Sequence, residues 1–298
     1  MPRYRPSSGL ASGIVIVAAS AWGVLWVPIR VFEAQGVSGA WTLALINFSA
    51  FLVLVPVVTF TWAAQRQHAR AALTIGFMTG LGLSFYGLGL VHTSVVRATL
   101  LFYLTPVWAT LIGVVFLGER AGVQRWGAIA LGLLGLFALV SGGPSLSFNI
   151  GDILALASGM VWAVGASLIA RNGAIPVSGM VAAQFLSMPI IILVLGSLIA
   201  PAAAPDVDTL RALAPTFLAI AVFGMLPGVF LLFWAQQFLE PGRVGLLMMS
   251  EVLVAILTAT WLLPEERMEP VQWLGAVLII LAGIVELIPT RAIRRVGT

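Results

Sequence analysis

The chain has 298 residues, of which 60% are hydrophobic and 9% charged, with no cysteine and a formal net charge of +4. That apolar excess excludes an ordinary water-soluble domain of this length, and the absence of thiols excludes disulfides, thiolate metal sites and a cysteine nucleophile. The basic surplus does not point to nucleic acid, because no basic stripe or soluble domain exists to carry such contacts.

Apolar runs of about 20 residues are long enough to cross the hydrocarbon core as helix. They predict ten transmembrane helices, at roughly 10–31, 39–62, 71–91, 95–117, 122–141, 151–170, 177–200, 212–238, 243–263 and 270–289. The first follows Met1-Pro2-Arg3-Tyr4-Arg5 without a small-residue cleavage pattern, so no cleavable leader is expected. The loops are short and leave no room for a second, soluble domain.

In chain order, the first span places Ala19, Trp22, Trp26 and Arg30 on one helical face. Pro56 lies inside the second. The third carries Gly76 and Gly80, with Tyr86 toward its outer end. The fourth aligns Thr99, Tyr103, Pro106 and Thr110 and ends at Leu117-Gly118-Glu119-Arg120. In the sixth, Ala155, Gly159 and Ala166 surround Trp162. The seventh holds Pro189, and the eighth holds Gly224, Pro227 and Gly228. Glycine pairs at this spacing let helices approach closely, which serves either static packing or a rocking surface. Intramembrane prolines serve as static kinks or hinges. Pro106 and Pro227 are assigned to hinge or cavity-shaping roles, Pro56 and Pro189 to static kinks.

The ninth span is the most informative, because Glu251 interrupts an apolar run from Leu246 to Leu257. A charged side chain at that depth costs about 2.5–3.5 kcal/mol on insertion scales. It therefore faces a cavity or a partner, either as a binder of protons or amines or as a structural acid satisfied by its neighbours. Met248, Ala255 and Thr258 share its face. Tryptophans near span ends (Trp41, Trp62, Trp126, Trp261 and Trp273) read as an interfacial belt. Trp22, Trp162 and Tyr103 lie near mid-span and read as cavity lining. Together these residues offer one acid, aromatic planes and phenol hydroxyls, which suits a cationic or zwitterionic ligand with an apolar body.

All fifteen of the basic side chains other than histidine are arginine. With a cytoplasmic amino terminus, eleven of them fall inside and four (Arg30, Arg97, Arg211 and Arg267) outside, which predicts that both termini are cytoplasmic. Arg30 and Arg97 are read as snorkelling toward headgroups. An internal repeat then organises the chain. Arg97 to Arg120 matches Arg243 to Arg267, Trp22 answers Trp162, Gly76 and Gly80 answer Gly224 and Gly228, and Trp126 answers Trp273. Five spans per copy is an odd number, so the second copy enters the membrane inverted, a plan with the site near the midplane between the halves.

The ten-span plan resembles the drug/metabolite transporter superfamily, EamA-type. So does the proline in mid-helix followed by an acid at the helix end, from Tyr103-Leu104-Thr105-Pro106 to Leu117-Gly118-Glu119-Arg120. The resemblance covers nearly the whole chain, with halves at 9–142 and 149–290. Phe102-Tyr103-Leu104-Thr105-Pro106 is similar to a segment of aromatic amino acid exporters of the YddG type. One departure is that Glu251 and Val252 stand where Thr105 and Pro106 would repeat. The resemblance implies an all-α integral membrane fold, ten helices in two inverted five-helix repeats around a central cavity.

Enzyme chemistry finds no support, since the zinc, nucleophile-elbow and Walker motifs are absent. Asp206-Val207-Asp208 is half of a metal-diphosphate motif, with no second acidic pair beside it. The expected function is export of amino acids, aromatic or large apolar, across the inner membrane by facilitated efflux or proton antiport. The alternative is a multidrug or quaternary-cation exporter. Expected substrate contacts are Glu251, Tyr103, Trp22, Trp162, Tyr86, Met248 and Thr99. The expected partners are a small-molecule substrate, protons and the lipid bilayer, with no cofactor, metal or nucleic acid.

Overall fold

Polar caps start several helices, and prolines break two of them. In this computed structural model, the described residues are 7–105, 108, 122–141, 148–173, 175–239 and 241–287. Helix α1 (Ser8–Trp22) begins at Ser7, whose hydroxyl accepts the Leu10 N–H at 3.2 Å. The first predicted span is not continuous: residues 23–25 form a turn before α2 (Trp26–Glu33). Pro28 is the physical reason. It has no N–H for the Val24 carbonyl four residues earlier, and that carbonyl instead accepts from Val27 N at 3.0 Å.

Helix α3 (Gly39–Phe60) crosses back from its Ser38 cap. A short α4 (Trp62–Gln65) leads into α5 (Ala69–His92). Helix α6 (Val95–Phe102) starts at the Ser94 cap and stops at a turn at 103–104, another correction to a span expected to be continuous. Pro106 can donate nothing to the Phe102 carbonyl, and the Thr105 hydroxyl takes that role at 2.6 Å. Pro106, Thr110, Glu119 and Arg120 lie outside the described residues, so the hinge expected at Pro106 does too.

The remaining helices are α7 (Val123–Ser141), α8 (Ile150–Arg171), α9 (Val177–Ile199), α10 (Val207–Ala219), α11 (Leu226–Gln236), α12 (Pro241–Leu262) and α13 (Pro270–Leu287). A π-helical turn, Ile220–Met225, joins α10 to α11. Pro227 lies two residues after it and cannot serve the carbonyl of Phe223. Among the described residues, six helical segments are long and apolar enough to span a bilayer: Gly9–Glu33, Gly39–Phe60, Trp62–His92, Ile150–Ile169, Val177–Ile199 and Val207–Gln236. Trp126–Ala138, Leu247–Leu262 and Pro270–Ala282 are shorter apolar helices. Large apolar side chains such as Phe60, Phe223 and Trp261 are 80–90% exposed (90%, 81% and 82%). Such a surface suits hydrocarbon, and in water it would drive association. The chain is an integral, multi-pass membrane protein.

Glycine decides the close helix crossings. Helix α5 packs between α8 and α9. A Cβ on Gly76 would lie 2.4 Å from Ala183 Cβ and 2.6 Å from the Gln184 nitrogen, and one on Gly80 would strike Ser187. The second glycine pair behaves differently from expectation. Gly228 admits the Trp22 indole, whereas Gly224 lies in the π turn with nothing within 4 Å of its would-be Cβ. Gly76→Ala is therefore expected to force α5 and α9 apart and cost about 1–3 kcal/mol of stability. Gly224→Ala should cost far less. Thermal unfolding of the two variants in detergent checks this, and equal melting temperatures would refute the packing argument.

Candidate functional site

The two helix breaks and the buried acid converge. Glu251, on α12, is 1% exposed. At the α1–α2 break, a Cβ on Gly23 would lie 2.8 Å from the Glu251 carbonyl oxygen. At the α6 break, the Tyr103 hydroxyl donates to Glu251 Oε2 at 2.8 Å. From α5, the Tyr86 hydroxyl donates to Oε1 at 3.2 Å and lies 3.0 Å from Thr99 Oγ1. Two spans thus place phenol hydroxyls on one carboxylate, one of them arriving with an interrupted helix, while the break in the first span packs against the Glu251 backbone. Discontinuous helices are a common means of building midplane sites in membrane transport proteins.

A phenol has one hydrogen to give, yet Tyr103 faces two acceptors. Its hydroxyl lies 2.7 Å from the Met248 carbonyl oxygen and 2.8 Å from the carboxylate. With Glu251 ionised, the two acceptors compete for that hydrogen. With Glu251 protonated, the acid can donate to the phenol oxygen while the phenol donates to the carbonyl. The cluster can therefore rearrange its hydrogen bonds around a proton without moving a backbone atom.

Beside the carboxylate lies a cavity of about 60 Å³, walled by Trp22, Asn47, Leu83, Tyr86, Met225 and Glu251 among others. That volume holds a few waters. The π turn contributes Ile220 and Met225 to the wall. π turns are often found at functional sites.

Of the residues expected to contact substrate, Glu251, Trp22 and Tyr86 border this cavity. Tyr103, Thr99 and Met248 do not line it and instead hold the carboxylate and its tyrosines from behind. Trp162 is not on the wall either. It is 4% exposed and packs between Phe102 and Phe233, with ring centroids 6.3 and 6.4 Å away. Phe102 is the hub, 4.8 Å from Tyr86 and 5.1 Å from Tyr103. The expected shared face of Trp22 and Trp26 is divided by the break, and Trp26 Nε1 donates to Thr258 Oγ1 at 3.2 Å. Pro227 lies two residues beyond the π turn that borders the cavity.

Two arginines expected to snorkel are engaged within the protein. Arg30 pairs with Glu33 at 3.0 Å and donates to the Leu90 carbonyl at 3.3 Å. Arg97 pairs with Asp152 at 2.6 Å. Asp152 is wholly buried, accepts the Thr93 hydroxyl at 2.8 Å and the Asn149 N–H at 3.1 Å, and so ties α6 to the start of α8. Sequence reasoning missed it, although Asn149-x-x-Asp152 carries the spacing of a capping box. Asp206 caps α10, accepting the backbone N–H and hydroxyl of Thr209 at 2.9 and 2.8 Å. Those bonds hold its carboxyl below the usual range. Its cap role accounts for half of the acidic pair at 206–208.

Comparison with known proteins gives a consistent picture. The sequence profile of the EamA-like transporter family matches residues 10–141 and 149–286. An uncharacterized transporter of Archaeoglobus fulgidus is 29% identical over 126 residues, 42% of this chain and 46% of that protein. A probable terminal-alkyne amino-acid exporter of Streptantibioticus cattleyicolor is 25% identical over 155 residues, 50% of this chain and 51% of that protein. The uncharacterized transporter YoaV of Bacillus subtilis is 22% identical over 163 residues, 50% and 53% of the two chains. The chain spans about half the length of these curated relatives. One solved crystal structure shares the fold, with a TM-score of 0.59 at 19% identity over 97% of this chain and 99% of that one.

Proposed function

The chain belongs to the EamA-like transporter family, and from that premise we propose that it exports small amphipathic amines across the inner membrane. Amino acids with aromatic or large apolar side chains are the first candidates. The observation that carries this reading is Glu251, a buried acid held by two tyrosines at the edge of a mostly apolar cavity. An ammonium or a proton meets the charge there, and an apolar body meets the wall. The relative named as an amino-acid exporter supports the substrate class. Transport proceeds by alternating access, as facilitated efflux or proton antiport, and no residue has a catalytic role.

The architecture that goes with this reading is ten spans in two inverted five-helix repeats, at 9–142 and 149–290. Two separate matches to one family profile support the duplication. Both termini are cytoplasmic on the arginine distribution, and a reporter fused at Thr298 that works only outside the cell would reverse that orientation.

A second reading, export of quaternary cations, is favoured by a cavity wall with one acid and no basic residue among the described residues. Liposomes containing the purified protein separate the two. Loaded with unlabelled phenylalanine, tryptophan or leucine, they should accumulate the labelled amino acid faster than protein-free liposomes. Accumulation of ethidium-like cations with no amino acid exchange would establish the second reading instead.

A further inference from the structure

Asn47 lies in the interior of α3, wholly buried, on the wall of the cavity that Glu251 borders. Its Nδ2 donates to the Leu43 carbonyl at 2.7 Å. A carbonyl can only accept, so this contact fixes which end of the amide is nitrogen. The other end, Oδ1, is buried and has no hydrogen-bond partner. An unmet acceptor in an apolar interior is costly, and natural interiors rarely leave one without a reason. Among the described residues, the cavity wall therefore holds the Asn47 amide oxygen and the Glu251 carboxylate as acceptors, the Trp22 indole N–H as an unmet donor, and no lysine, arginine or histidine. Arg30, which follows the wall residue Ile29, is already engaged by Glu33 and the Leu90 carbonyl.

Two acceptors on one small cavity match a donor with several hydrogens. A primary ammonium offers three N–H groups, enough for a carboxylate and an amide oxygen together. A quaternary ammonium offers none, and on binding it would leave Asn47 Oδ1 as unmet as before. We propose that Asn47 is a second acceptor for the substrate's ammonium group, so that the site takes protonated primary amines in preference to quaternary ones. The proposal rests on the reading of Glu251 as the ammonium-binding acid and narrows it.

The test compares 2-phenylethylammonium with its N,N,N-trimethyl analogue, which keeps the aromatic body and the charge and loses every N–H. Binding is measured by calorimetry on the full chain in lipid nanodiscs. The wild-type protein should bind the primary amine about tenfold more tightly, the worth of a hydrogen bond to a charged group. In Asn47→Leu the primary amine should weaken toward its analogue, keeping only its N–H contact with Glu251, while the analogue is unchanged. Asn47→Asp keeps an acceptor at the position and should keep the preference, which covers the case in which the leucine variant fails to fold. Equal affinities in the wild type, or equal weakening of both ligands in Asn47→Leu, would overturn the assignment. Glu251→Gln should weaken both amines. If it binds both as the wild type does, the reading of Glu251 fails, and that result is distinct from a failure at Asn47.

Discussion

Glu251→Gln is expected to slow transport about 10- to 100-fold, the range set by losing a charge-assisted contact to the substrate. Folding and membrane insertion should survive. Glutamine keeps the size of the side chain and both polar atoms, so the Tyr103 and Tyr86 hydroxyls, 2.8 and 3.2 Å from the carboxylate oxygens, still find partners. Removing a charge from the membrane interior eases insertion, by a few kcal/mol at most. A purely structural acid predicts the reverse, a less stable variant with undiminished transport per folded molecule. For a proton-coupled exporter, the wild-type rate in liposomes should also respond to an imposed pH gradient, and the variant should not respond. A variant that matches the wild type in rate and in pH response shows that Glu251 is structural.

Asp152→Ala should produce the largest loss of stability, about 3 kcal/mol or more, as is usual when one partner of a buried ion pair is removed. Three donors lose their acceptor at once: the Arg97 guanidinium, the Thr93 hydroxyl and the Asn149 N–H. The Arg97 side chain is only 16% exposed, so water replaces little of what it loses. Asp152→Asn retains acceptors for Thr93 and Asn149, gives up the ion pair and should fall between the two. Melting temperatures of the three proteins in one detergent test the order. An alanine variant as stable as the wild type would mean that the cluster contributes nothing to holding α6 against α8.

The comparison of these two acids shows where sequence reasoning stops. Glu251 was legible because it interrupts an apolar run, and the energetic cost of a charge at that depth needs no coordinates to be recognised. Asp152 was equally buried and went unnoticed, because it stands at a helix start where acids are commonplace as caps. Its burial is created by α5 and α6 packing over that end, a fact of tertiary contact alone. Arg97 was misread for the same reason, since snorkelling is the default only when no buried acid is within reach.

The sequence by itself determined that the chain lives in a membrane, where most of its spans begin and end, and that Tyr86, Tyr103 and Glu251 deserved to be considered together. Those conclusions follow from composition, helical periodicity and the cost of charge in hydrocarbon, all of which are local. The tertiary structure decided what meets what. It broke the first span opposite Glu251, because Pro28 removes a hydrogen bond that periodicity does not record. It moved Trp162 from the expected cavity wall into a stack with Phe102 and Phe233. It also brought Asn47, an unremarked amide on another helix, to the same cavity as Glu251, 204 positions away in the chain. Helical spacing states which residues share a face, but the neighbour that face meets is set by how helices cross, and the crossings here depend on where glycine lets two backbones touch.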